Sequence, residues 1–196
     1  GLVGSEMYIR DRAEKLINRI IKTAPSQPAG YFFKAAVLQS KMMDYETDNW
    51  EQEFLDNIHL TLKYAKRRGK VDSESLFYQG SALSYLAFYQ GKKGHYLQAI
   101  RNGLSGISVL KKLIKLSPDF NDAYYGIGSY KFWRSQIARY FNWLPLISDE
   151  REEGLAMVQR AIESGKFTRY AATNAIVWML LEYKKTEEAF SWAKIG

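Results

Sequence analysis

Few residues in this 196-residue chain could make or break bonds, and their spacing works against it. There is no cysteine, which excludes disulfides, zinc–thiolate sites, iron–sulfur clusters and thiol nucleophiles. The histidines are His59 and His95. His59 sits in a helical pattern with Leu55 and Lys63 four residues either side, so it has no ligand partner at metal spacing. His95 follows Gly94 at a turn and reads as a helix-start residue. Gly126-x-Gly128 is not a dinucleotide loop, because no strand precedes it and the third glycine is missing. Gly103-Leu104-Ser105-Gly106 is one residue short of a nucleophile elbow and lies in a helical run. Ser164-Gly165-Lys166 lacks the earlier glycine of a phosphate loop. Glu152–Glu153 and Glu187–Glu188 read as acids at helix starts, where the helix dipole favours them. No nucleophile, base and acid converge, so the expectation is a non-catalytic protein with no cofactor and no metal.

Charge permits several partners without choosing one. The net charge is +7. Residues 1–50, 51–100, 101–150 and 151–196 each hold seven basic residues, against six, five, four and six acids. The excess is therefore thinly spread, not held in a basic tail. The densest basic run is Lys63-Tyr64-Ala65-Lys66-Arg67-Arg68-Gly69-Lys70, which suits the negative end of a helix dipole. No nucleic-acid recognition motif is present, and no nucleic-acid partner is expected. No window approaches the roughly 18 apolar residues of a membrane span. The longest, Tyr170 to Leu181, is interrupted by Thr173 and Asn174, so no transmembrane span is expected. Gly1-Leu2-Val3-Gly4 has no initiator methionine and no signal pattern, and the C-terminal run reads as a helix cut short. Both ends read as fragment ends, and the lack of cysteine is compatible with any compartment.

The elements that would position any site are helical almost throughout. Leu16, Ile17, Ile20 and Ile21 form one stripe; Val109, Leu110, Leu113, Ile114 and Leu116 form another. Pro25 and Pro28 close one helix and open the next. Asp48 with Glu51, and Asp149 with Glu152, have capping-box spacing. Gly69, Gly91, Gly94, Gly165 and Ser117-Pro118 read as stops. The pattern predicts helices over 5–23, 29–43, 48–68, 73–90, 95–117, 121–138, 149–164, 168–183 and 186–195. An apolar connection is expected over 139–148.

Helix pairs recur. Pro25 is followed six residues on by Tyr31 and four further by Ala35; Pro118 is followed in the same way by Tyr124 and Gly128. Gly94-His95-Tyr96-Leu97-Gln98-Ala99-Ile100 supplies a turn leading into a second helix, and 182–190 is a looser copy. These stretches resemble the tetratricopeptide repeat family. First-helix anchors fall near Tyr31, Leu76, Tyr124 and Thr173, at steps of 45, 48 and 49, whereas the family step is about 34. In the middle unit each half is longer by about seven residues, close to two helical turns, which returns the apolar face to its direction. Gly126-x-Gly128, Trp143-Leu144-Pro145 and Asp149-x-Arg151-x-x-Gly154-Leu155 also resemble the inclusion-body-clearance family, an expanded tetratricopeptide group of the mitochondrial outer membrane linked to lipid handling.

The resemblance implies an all-α chain, a right-handed α-α superhelix of about four hairpins, forming one domain over residues 1–196. One hairpin cannot bury its apolar face alone, so stacking would create the core. The small residues Ala35, Gly80, Gly126 and Gly128 are expected where helices approach closely, and Tyr31 and Tyr124 between neighbouring helices. The first helix of each pair would line a concave groove with Phe32, Ala36, Gln39, Phe77, Ser81, Tyr85, Tyr125, Ser129, Phe132 and Trp133. The Lys/Asn/Arg carboxylate clamp of some relatives is absent from Phe32, Ala36, Phe77, Ser81, Tyr125 and Ser129. The expected function is a scaffold holding a protein or peptide partner in an aromatic groove. The alternative is a lipid or other apolar small molecule held between the long helices. Cut terminal hairpins would expose apolar surface, which permits self-association.

Overall fold

The apolar periodicity is realised as helix. The computed structural model describes residues 2–69, 71–139 and 148–194, with side chains from residue 11 onward. Among the described residues there are nine helices and no strand, so the chain is all-α. They are α1 (Leu2–Thr23), α2 (Pro28–Asp44), α3 (Glu51–Arg67), α4 (Ser73–Lys92), α5 (Tyr96–Leu116), α6 (Asp122–Ala138), α7 (Arg151–Ser164), α8 (Arg169–Glu182) and α9 (Thr186–Ala193). Their ends differ from the expected ones by three residues or fewer. The middle pair is long: α4 has 20 residues and α5 has 21, against 17 in each of α2 and α3. Most of the expected apolar connection, including Trp143-Leu144-Pro145, lies outside the described residues, as does Lys70.

Three of these helices end in the same way. In α2, Thr47 N–H donates to the Met42 carbonyl at 3.2 Å and Glu46 N–H to Met43 at 3.4 Å. In α4, His95 N–H donates to Gln90 at 2.8 Å and Gly94 N–H to Gly91 at 3.1 Å. In α8, Lys185 N–H donates to Leu180 at 2.8 Å and Lys184 N–H to Leu181 at 3.0 Å. The turning residue is left-handed each time, with φ of 48° at Glu46, 78° at Gly94 and 62° at Lys184. This closure satisfies carbonyls that the helix end would otherwise leave open. Gly91, read as a stop, lies within the last turn of α4.

The acids expected to cap helix starts do not complete capping boxes. Trp50 and Glu150 occupy the N-cap positions of α3 and α7, without side-chain cap bonds. Asp48 pairs with Lys93 Nζ at 2.8 Å, and Asp149 accepts Arg151 Nε at 2.8 Å. Asp149 Oδ1 also accepts the Arg151 backbone N–H at 3.1 Å, so the guanidinium shares this carboxylate with the start of α7. The hydrogen bond from Arg151 holds Asp149 down at about 2. Asp72 does cap: its Oδ1 accepts Ser75 N–H at 2.6 Å at the start of α4.

The helices group into two compact units, residues 1–109 and 110–196, so α5 is shared between them. In the first unit, α1 approaches α2 at Gly30, where an added Cβ would stand 2.7 Å from Ile21 Cγ1. Ala35 and Leu38 of α2, Phe54 and Ile58 of α3, and Phe77 and Ala82 of α4 are buried at the core. Each large side chain buried in this way contributes about 1.5–3 kcal/mol. Tyr31 OH donates to the Pro25 carbonyl at 2.9 Å, and its ring stacks on Tyr64 of α3 with centroids 5.3 Å apart. Helix α5 meets α4 at Gly106, where a Cβ would stand 2.8 Å from the Gly80 carbonyl oxygen.

The second unit repeats both devices. Tyr124 OH donates to the Pro118 carbonyl at 3.1 Å, and the Arg160 guanidinium of α7 lies 3.9 Å from its ring centroid. The Pro-x5-Tyr spacing is thus one local structure made twice. Helices α6 and α7 cross at Gly128 and Gly154, where a Cβ on Gly128 would stand 2.5 Å from the Gly154 oxygen. Phe132, Val158, Ala161, Ala172, Ile176 and Leu180 form the core. The buried Asp122 carboxylate ties α6 to the turn before α8. It accepts the backbone N–H groups of Lys166, Phe167 and Thr168 and the Thr168 hydroxyl, at 2.7 to 3.1 Å.

Two stability predictions follow from these geometries. Alanine gains about 1 kcal/mol over glycine in an open helix. Gly91→Ala, with only Ala99 Cβ at 3.9 Å, will raise the melting midpoint, whereas Gly128→Ala will lower stability by about 1–3 kcal/mol despite the same propensity gain. Equal, positive shifts in thermal melts would refute the close crossing. Glu46→Gly relieves a left-handed non-glycine residue and will stabilise by about 1 kcal/mol. Denaturant unfolding will show a higher midpoint at unchanged slope.

Candidate binding site

Helices α2 and α4 lie side by side in the first unit, and their C-terminal ends frame an open cleft of about 390 Å³. The end of α2 contributes Gln39, Met42 and Met43, and the turn after it contributes Glu46, Thr47 and Asp48. The end of α4 contributes Phe88, Tyr89, Lys92 and Lys93. The left-handed closure at Glu46 is what aims the turn residues at the cleft's edge. Gln39 and Met42 are buried at its base, while Met43 and Phe88 stand 46% and 49% exposed at its rim. The rim is therefore apolar surface that water already reaches.

One wall is a polar network. Tyr89 OH donates to the Glu51 carboxylate, and its ring packs on Phe54 with centroids 5.2 Å apart. Lys93 Nζ lies 2.8 Å from both Asp48 Oδ2 and Glu51 Oε2. The hydrogen bonds from Lys93 and Tyr89 hold Glu51 below its ordinary value, and Asp48 and Glu51 raise Lys93. Burial, then the bond to Glu51 and its charge, push the Tyr89 phenol up to about 12. These groups are engaged with one another, so they set the wall's shape. Lys92 stands at the same mouth, exposed and without an ion pair to a described residue.

The expected groove residues divide by unit. In the first, Phe32 gathers Phe77 and Tyr85, with centroids 6.1 and 5.4 Å away. Gln39 Nε2 donates to the Tyr85 carbonyl at 3.2 Å and links that cluster to the base of the cleft. Burial pushes the Tyr85 phenol above its ordinary value. Phe32 and Phe77 are buried, and Ser81 is half-buried on α4. Of these five, Gln39 alone lines the cleft. In the second unit Phe132 is fully buried, Tyr125 packs against the core, and Trp133 stands 38% exposed, edge-on to Phe132. The Ser129 hydroxyl is buried without a hydrogen-bond partner among the described residues.

Sequence reading missed Met42, Met43, Phe88 and Tyr89. Their signal is a pair of large apolar residues at the end of each of two helices, Met42-Met43 on α2 and Phe88-Tyr89 on α4. The basic run is largely used locally: Arg68 donates to Asp72 at 3.2 Å, and Lys63 and Arg67 lie over the Tyr64 ring. His59 and His95 are exposed. Among the described residues no group of three or more His, Asp or Glu is placed to hold a metal ion. No described helix is long and apolar enough to cross a membrane. No family model, no curated protein and no solved structure matches the chain.

The wall can be tested by alkaline titration. A phenol raised in the fold stabilises it below the unfolded value of about 10, and that contribution is lost as pH rises through the folded value. The absorbance difference between the parent and Tyr89→Phe will therefore appear near pH 12. Glu51→Gln will bring it toward 10. A Tyr89 titration near 10 in the parent would break the network as described.

Proposed function

We propose that this chain is a tetratricopeptide-like interaction module that holds a peptide by one large apolar side chain in the cleft between α2 and α4. The observation that carries the reading is the cleft itself: two exposed apolar side chains, Met43 and Phe88, above a base tied to an aromatic cluster. Its volume of about 390 Å³ suits a side chain and its neighbours, near the lower end of ligand pockets. Thioethers adapt to varied apolar shapes, so Met42 and Met43 favour a range of side chains over one. The polar wall of Asp48, Tyr89 and Lys93 would face the peptide backbone. The repeated Pro-x5-Tyr bond and the shared helix closure support the likeness to tetratricopeptide hairpins. The scaffold role rests on the same likeness.

A library of fluorescent peptides rich in Leu, Met and aromatic residues, read by anisotropy, tests this. Met43→Glu and Phe88→Glu place a charge where the apolar side chain would sit, and each will weaken binding by about tenfold or more. Trp178→Glu, exposed on α8, will leave binding unchanged. Equal binding by all variants would overturn the assignment. Native mass spectrometry finding a co-purified apolar molecule, lost in Met43→Glu, would favour the small-ligand reading instead.

A further inference from the structure

The positive charge is less evenly distributed than counts by quarter suggest. Between Glu74 and Asp119 there is no acidic residue: 44 consecutive positions hold six cations, Lys92, Lys93, Arg101, Lys111, Lys112 and Lys115. Within the first unit this stretch includes the start of α5, and there the helix is turned inside out. Its inward face is small. Gly103 faces Ala87 Cβ of α4, Gly106 faces the Gly80 carbonyl, and Gly91 faces Ala99. Ahead of the buried Ile107 its large apolar side chains point to solvent: Leu97 is 86% exposed, Tyr96 69%, Ile100 60% and Leu104 52%. At 3.6 residues per turn, Leu97, Ile100 and Leu104 fall within about 60° of one another around the helix axis. Arg101 borders this stripe and Lys92 stands before its first turn; both are exposed, and neither pairs with a described residue.

We propose that this ridge docks on the surface of an anionic lipid bilayer, with Leu97, Ile100 and Leu104 entering the headgroup–acyl boundary. The charge complementarity lies in Lys92 and Arg101: Asp48 and Glu51 are already paired with Lys93, so these two exposed cations are left to meet lipid phosphate. The chemistry of the stripe also suits a bilayer, since it is a single row of apolar side chains flanked by cations. Tyr96 is the amphipathic ring suited to the headgroup level, and Arg101 and Lys92 can keep their charges at the phosphates while their stems lie on apolar surface. The helix lies on the membrane and does not cross it, consistent with its length and polarity.

The test is flotation of the intact chain with vesicles of phosphatidylcholine, with and without phosphatidylserine, across a salt series. Binding is expected to the anionic vesicles, weakening with salt. Leu97→Gln combined with Ile100→Gln will reduce it about tenfold or more, and Arg101→Glu will reduce it similarly. These positions are exposed, so thermal melts will match the parent. A Leu97→Trp reporter will shift its emission to the blue and be quenched by brominated lipid. Failure to float with anionic vesicles overturns the proposal. So does binding that Leu97→Gln/Ile100→Gln leaves intact, which would be charge attraction without a docking ridge. A dimer in sedimentation that the same double variant dissolves, or capture of an acidic soluble peptide with vesicles ignored, overturns it in favour of a protein partner.

Discussion

Helix backbones touch here at positions that carry no side chain, and the rest of each unit is arranged around those contacts. A Cβ at Gly106 would sit 2.8 Å from the Gly80 oxygen, and one at Gly154 would sit 2.7 Å from the Gly128 oxygen. Real side-chain atoms do not approach carbonyl oxygens so closely, so the crossings exist only with glycine. Glycine in a helix interior is unfavourable by about 1 kcal/mol relative to alanine. That deficit is offset by dispersion along the touching backbones and by the burial that close approach allows for the residues beside it. Phe132 and Val158 flank the α6–α7 crossing and are fully buried.

Close crossing has a second consequence, which is where the large side chains go. If the seam between two helices is made of small residues, the bulky ones must stand beside it. On α2 and α4 they interlock as Phe32, Phe77, Tyr78 and Tyr85. Where the packing ends, at the C-terminal ends of the same helices, Met43 and Phe88 are left facing each other across a cleft. At the start of α5 the glycine-rich face takes the seam and leaves Leu97, Ile100 and Leu104 outside. The ridge thus follows from a glycine seam, whereas the cleft opens where the aromatic seam between α2 and α4 runs out.

Much of the fold is legible in the sequence because its signals are local. Helix periods, prolines and the Pro-x5-Tyr spacing depend on residues within a few turns, and the structure places the helices with end shifts of three residues or fewer. The equivalence of the hairpin turns is harder to read. Gly94 announces a left-handed residue, but Glu46 and Lys184 do the same work with ordinary side chains that carry no such signal. The capping acids mislead for a related reason. Asp48 has suitable spacing along the chain, but its carboxylate is claimed by Lys93, and Asp149 divides its carboxylate between the Arg151 guanidinium and the Arg151 backbone N–H. Lys93 lies more than forty residues from Asp48 in sequence, and no local rule weighs that competitor.

The site residues divide along the same line. Aromatic residues at helical spacing mark a packed face, and Phe32, Phe77 and Phe132 are buried. Whether such a face meets another helix or a ligand depends on where the neighbouring helix ends, which is a matter of length. Helix α4 runs to Lys92, so Tyr89 and Lys93 reach the turn after α2 and close one side of the cleft with Asp48 and Glu51. A shorter α4, ended near Leu86, would remove Phe88, Tyr89 and both lysines, and with them one whole side of the cleft. The extra turns that set this chain apart from a standard tetratricopeptide spacing thus do more than extend the packing stripe. They carry the helix past the end of its core and place Phe88, Tyr89, Lys92 and Lys93 along one side of the cleft.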